Sequence, residues 1–204
     1  MKHLPIDPST FPFYSREKER GKVLANRCGR DFLYYALCFY YPQEFGAGKL
    51  TPLEIDAQKL FGIPLPASLA WLQIQFWKVP SYLARRGLGF LINKKTIKSF
   101  FDFVRSILFS RISVVHAIKF LEQGIDRGHV VGIDIAIGRG GLLDHVMFVY
   151  GYDAENFYVF DTVRAPIEYE QTTNDSRLIM KLPKKIVEAR WTRFGRIWEV
   201  YPLV

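Results

Sequence analysis

A thiol becomes a useful nucleophile near neutral pH when a base takes its proton and a third group holds that base in the right tautomer. The chain has only two cysteines and four histidines, so few combinations could assemble such a site. Cys28 stands at the head of an aromatic stretch. His145 opens, and Asp161 nearly closes, the segment Asp144 to Thr162, DHVMFVYGYDAENFYVFDT. The order is thiol, imidazole, carboxylate, with 161 − 145 = 16 positions between the candidate base and its orienting acid. That set of side chains fits nucleophilic attack on a carbonyl through a thioester.

Two elements must position these groups. From Asn26, a plausible N-cap, the run Phe32, Leu33, Tyr34, Tyr35, Ala36, Leu37, Phe39, Tyr40, Tyr41 reads as a helix that is apolar nearly all round, stopped by Pro42. Such a helix belongs in the middle of a domain. Cys28 falls in its first turn, where free N–H groups and the helix dipole favour an anionic sulfur. Further along, His145 to Tyr152 and Phe157 to Asp161 read as a hairpin joined by Asp153-Ala154-Glu155-Asn156. A simple loop pairs Tyr152 with Phe157 and sets Asp161 opposite Phe148, three positions from His145 and on the other face. A bulge, with Gly151 as the natural place, or another loop register is needed to bring the two together.

The other candidates weigh less. Cys38 lies inside the helix and reads as core. His129 opens a strand and is the rival base, but no Gly-Tyr-Asp hairpin follows it. His116 sits among Val114, Val115, Ala117 and Ile118 and is expected to be packed; His3 lies in an N-terminal arm. No His or Cys pair has metal-ligand spacing, so neither a metal nor a cofactor is expected. The loop Gly138-Arg139-Gly140-Gly141 lacks the lysine and Ser/Thr of a phosphate-binding loop.

Hydrophobic residues make up 49% and charged residues 24% of the 204 positions, enough for one large folded domain and unlike a disordered chain. Ten positions along a helix separate Cys28 from Cys38 by about 15 Å, too far for a bridge. Two free thiols favour a reducing compartment, here the cytoplasm. Nothing in residues 1–20 resembles a secretion signal. The uncharged run Leu60 to Trp77 is broken by Pro64 and Pro66, which argues against a membrane span. The net charge of +8 is uneven: residues 78–127 carry ten basic and three acidic side chains, whereas 128–180 carry three and eight. The basic middle is either a solvated face or a surface for nucleic acid, anionic membrane or an acidic partner.

In chain order, residues 1–20 read as an arm on the domain surface. Residues 43–66 read as loop with a short helix near Ile55 to Phe61, followed by helices at about 67–86, 94–109 and 112–127, ended by Gly124 and Gly128. Strands are expected at His129 to Ile137, His145 to Tyr152, Phe157 to Asp161, Ile167 to Tyr169, Arg177 to Met180 and Arg196 to Tyr201. Helices first and antiparallel strands later predict an α+β fold in one domain, with a helical insertion at about 50–115 and a sheet over 128–204.

These motifs resemble the papain-like cysteine peptidase superfamily, in particular its bacteriocin-processing-peptidase-like branch. The resemblance rests on Cys28-Gly29 at a helix head, His145 opening a strand, the Gly151-Tyr152-Asp153 turn and Asp161 ending the next strand. Ala117 to Asp134 also resembles the family's helix, glycine and apolar strand before the histidine. It covers roughly residues 20–45 and 115–165. It implies a papain-like fold, with the cysteine helix packed on a C-terminal antiparallel sheet. It also implies peptide or amide hydrolysis, or acyl transfer, by a Cys28, His145, Asp161 triad on a peptide or protein substrate. The basic insertion would suit an acidic substrate or a docking partner. The family's oxyanion glutamine has no counterpart: six positions before Cys28 stands Lys22, and Asn26 is the nearest amide. That departure leaves open a catalytically inactive binding or regulatory module on the same fold.

Overall fold

The computed structural model describes residues 1–7, 10–11, 28–45, 78–137, 143–161, 170–171, 179–191 and 195–204. They form a mixed α+β structure around one antiparallel sheet. In chain order the helices are α1 (Cys28–Tyr40), α2 (Pro42–Phe45), α3 (Lys78–Arg85), α4 (Phe100–Phe109), α5 (Val114–Asp126) and α6 (Lys184–Arg190). The strands are β1 (Lys2–His3), β2 (Leu88–Ile92), β3 (Lys95–Thr96), β4 (Val130–Ile137), β5 (Leu143–Tyr152), β6 (Asn156–Phe160), β7 (Glu170–Gln171), β8 (Ile179–Pro183) and β9 (Arg196–Pro202). They run in the order β3-β2-β9-β4-β5-β6-β8-β7, with β1 added beside β5.

The centre of the molecule is built on a missing side chain. Gly132 of β4 pairs with Trp198 of β9 and with Phe148 of β5, and Phe148 pairs with Phe160 of β6. Partners across a ladder share a face, so Trp198, Phe148 and Phe160 form a row with a gap at Gly132. Phe32 of α1 fills that gap: a Cβ on Gly132 would stand 2.7 Å from its ring. Its ring centroid lies 5.8 Å from Trp198 and 6.5 Å from Phe148, and one turn on Tyr35 lies 5.0 Å from Phe160. Every residue from Phe32 to Cys38 is buried, as the all-round apolar pattern requires. Each such large side chain contributes about 1.5–3 kcal/mol by leaving water.

The next residue, Val131, points to the opposite face, because strand side chains alternate. There it meets α5, where the Val131 side chain occupies the space that a Cβ on Gly124 would need. Helices α1 and α5 therefore cover opposite faces of β4. Helix α5 starts at Ser113, whose hydroxyl accepts from the His116 backbone N–H and bonds its ring Nδ1 at 2.7 Å. It ends at Gly128 in the left-handed region (φ +73°), with the His129 N–H donating to the Gly124 carbonyl at 2.9 Å. Gly124 itself is interior to the helix, and only Gly128 terminates it. His116 is exposed and its ring bonds the Ser113 cap of α5; it is not packed among its apolar neighbours.

The expected helix over 94–109 starts later than its apolar spacing suggests. Residues 88–96 form the β2–β3 hairpin, turned by Asn93 and Lys94 at positive φ (48° and 66°), the arrangement a tight two-residue hairpin demands. Asn93 secures it, accepting from Ile197 N–H at 2.9 Å and donating to the Ser110 carbonyl at 2.6 Å. The helix begins only at Ser99, whose hydroxyl accepts from Asp102 N–H at 3.2 Å while donating to its carboxylate at 3.0 Å. Strand β2 pairs with β9, so the sheet is not confined to the C-terminal part of the chain. Helix α6 follows Pro183 where no helix was expected, and β8 runs to Pro183 from Ile179. The expected helix near Ile55 to Phe61 and strand Ile167 to Tyr169 lie outside the described residues. Among the described residues no helix is long and apolar enough to cross a membrane; Leu60 to Trp77 lies outside them.

Candidate active site

The β5–β6 hairpin solves the register problem with one extra residue. Tyr152 pairs with Phe157 and Gly151 with Tyr158, but the next pair is Val149 with Val159. Tyr150 is left over as a β-bulge. Phe148 then pairs with Phe160, which sets Asp161 opposite Met147. Met147 is two positions from His145, so Asp161 and His145 lie on the same side of the pleat. Gly151 is the residue that lets β1 lie against the bulged strand. A Cβ there would meet the Lys2 carbonyl oxygen at 2.9 Å and the His3 Cβ at 3.0 Å.

The hairpin turn is locked by its own aspartate. Asp153 Oδ1 accepts from the backbone N–H of Glu155 (2.9 Å) and Asn156 (2.8 Å), and Oδ2 accepts from the Tyr158 hydroxyl at 2.7 Å. These bonds, Tyr158's foremost, hold the Asp153 carboxyl well below the usual carboxylate range. Lys184 of α6 closes the loop from outside, donating to the carbonyls of Asp153 (2.6 Å) and Ala154 (3.1 Å) and to Glu122 (2.6 Å).

At the open end of this hairpin His145 Nε2 lies 2.7 Å from Asp161 Oδ1. That is the length of a charge-assisted bond. The imidazole is 4% exposed and the carboxylate 0%. Burial pushes the His145 pKa down. The Asp161 charge and hydrogen bond, joined by a side-chain hydrogen bond and charge interaction with Cys28, more than offset it and hold the ring well above 6.5. Cys28 is the first residue of α1 and is partly exposed. It stands one helical turn before Phe32, the side chain keyed into the Gly132 gap. With Nε2 committed to Asp161, Nδ1 is the ring atom left to exchange a proton with the thiol. The folded chain thus brings Cys28, His145 and Asp161 into one neighbourhood.

The remaining candidates fall elsewhere. Cys38 is buried in α1, donates to the Phe45 carbonyl at 2.9 Å, and has its pKa pushed up to about 12 by burial. His129 has an acid of its own: Nδ1 lies 2.5 Å from Glu199 Oε1, which also takes Arg127 at 3.1 Å. This second pair sits at the opposite end of β4 from Ile135, the partner of His145. His3 bonds the Leu4 carbonyl at 2.7 Å. Asn26 and Lys22 lie outside the described residues. Asp31 is buried in the first turn of α1. Among the described residues no cluster of three or more His, Cys, Asp or Glu side chains could hold a metal ion.

Comparison with protein-family models, with curated proteins and with solved structures returned no match. Any assignment of this chain to a class therefore stands on its residues and their geometry.

Proposed function

We propose that this chain is a papain-like cysteine hydrolase that cleaves peptide or amide bonds through a thioester, or passes the acyl group to an acceptor. The observation that carries the reading is the arrangement around His145. One ring nitrogen is held by Asp161 at 2.7 Å, and the ring interacts with a cysteine at the head of a buried helix. In the proposed reaction His145 takes the Cys28 proton and sulfur attacks the substrate carbonyl carbon. The carbon–nitrogen bond then breaks, and His145 returns the proton to the leaving amine. Water, deprotonated by the same ring, attacks the thioester carbonyl, and the thiol leaves. Asp161 orients the ring and stabilises its charged form. The Cys28 backbone N–H, at the head of α1, is the donor proposed for the developing oxyanion. Free thiols suit action in a reducing compartment, the cytoplasm in this reading.

Lys22, where the resembling family carries glutamine, favours a second reading: the same fold as a binding or regulatory module with a degraded site. Incubation with a mixed peptide library, followed by mass spectrometry of products and of the intact protein, separates the two. The hydrolase reading expects new peptide termini with the wild type that disappear with Cys28→Ala, and a transient acyl mass on Cys28. An unchanged library with no acyl mass contradicts it and leaves the binding module.

A further inference from the structure

The basic middle of the chain carries a second feature that the proposed chemistry does not use. Along α4, Phe101, Arg105 and Phe109 recur every four residues, so they form one stripe on the helix surface. All three face outward: Phe101 is 81% exposed, Phe109 76%, and Arg105 is exposed. The opposite side of α4 buries Phe103 and Ser106. The two outward rings stand about 12 Å apart along the axis. Val115, in the first turn of α5, adds a third exposed apolar side chain at 58%.

Cations stand at both ends of this stripe. Exposed Lys98 precedes the N-terminus of α4. At the other end the bond from Asn93 to the Ser110 carbonyl (2.6 Å) ties the β2–β3 turn to the helix C-terminus. That turn carries exposed Lys94 and Lys95, and Arg111 is exposed just beyond Ser110. From residue 94 to residue 119 there are six basic side chains and one acid, Asp102. Asp102 is engaged with Ser99 and the Lys98 backbone N–H.

Outward phenylalanines with Arg105 between them and cations at both ends of the helix match the two requirements of an anionic bilayer surface. Apolar rings enter the boundary between headgroups and acyl chains, and cations meet the acidic headgroups. Single-stranded nucleic acid fits less well, since it stacks its bases along a cationic groove, and these rings project from a convex helix. We propose that the α4 face, with the β2–β3 turn, docks this protein on a membrane containing anionic lipid. The contact is peripheral. It is separate from the Cys28 chemistry, so a Cys28→Ala protein binds equally well.

The test is co-sedimentation of the full chain with phosphatidylcholine vesicles made with and without phosphatidylserine. Binding is expected only with the anionic lipid and falls as salt screens it. The double variant Phe101→Ser/Phe109→Ser should partition at least about tenfold more weakly. Replacing Lys94, Lys95 and Lys98 by glutamine should cost about fivefold per charge. Equal binding to neutral vesicles, or wild-type partitioning by the phenylalanine variant, overturns the proposal. So does no vesicle binding at all, including the case in which a single-stranded oligonucleotide binds instead. All five substituted residues are exposed, so loss of fold does not obscure the result.

Discussion

Burial works against a charged imidazole, and at His145 two neighbours outweigh it. The ring is held above 6.5 because Asp161 and Cys28 reward the protonated form more than desolvation penalises it. A group with a raised folded pKa stabilises the fold fully below its unfolded value, near 6.5, and that contribution is lost as pH rises through the folded value. The difference in urea midpoint between wild type and His145→Asn should therefore be largest in mild acid and shrink as the solution is made alkaline. A constant difference would contradict the charged pair. Asp161 separates orientation from stability. Asp161→Ala leaves a buried imidazole without its acid and should cost about 3–5 kcal/mol in urea unfolding. Asp161→Asn keeps a polar partner, so it should unfold closer to wild type. It should also slow alkylation of Cys28 by at least about tenfold, because an amide does not stabilise the imidazolium.

Secondary elements deliver these residues through two glycines. Gly132 sets how closely α1 approaches the sheet, so Gly132→Ala should push Phe32 outward, with a cost of about 1–3 kcal/mol. It should also slow Cys28 alkylation, because Phe32, the side chain it displaces, stands one helical turn from the thiol. Thermal melting and thiol labelling on one preparation check both. Gly151 marks the other device. The hairpin alternation in the sequence, taken alone, puts Asp161 on the wrong side of the pleat, and the mismatch located the bulge near Gly151. The extra residue proves to be Tyr150. That much of the site was legible because it is local: a helix head, a strand start and a strand end. The β2–β3 hairpin was not, because Leu88–Ile92 is short and acquires its meaning from β9, more than a hundred positions later. Residues 94–99 continue the apolar spacing of α4, and only the Asn93-Lys94 turn and the Ser99 cap separate them from it. His116 differs for a related reason: apolar neighbours in sequence do not bury a side chain in the exposed first turn of a helix, where it bonds the Ser113 cap.

For the molecule as a whole, one long sheet ties the N-terminal strand β1, the middle hairpin and the C-terminal strand β9 into one structure. Helix α1 bridges the central strands through the Trp198, Phe148 and Phe160 row. The thiol thus reaches a base more than a hundred positions away because α1, which carries Cys28, packs on the sheet whose strand β5 carries His145. At the far end of β4 the His129, Glu199 and Arg127 cluster fastens the α5 terminus to β9, away from the proposed chemistry.

The central claim is that His145 controls the Cys28 sulfur, and iodoacetamide kinetics read by mass spectrometry at Cys28 address it most directly. The account predicts that Cys28 reacts at neutral pH much faster in the wild type than in His145→Ala, with the advantage retained on moderate acidification. Identical Cys28 rates in the two proteins across the pH range would contradict it.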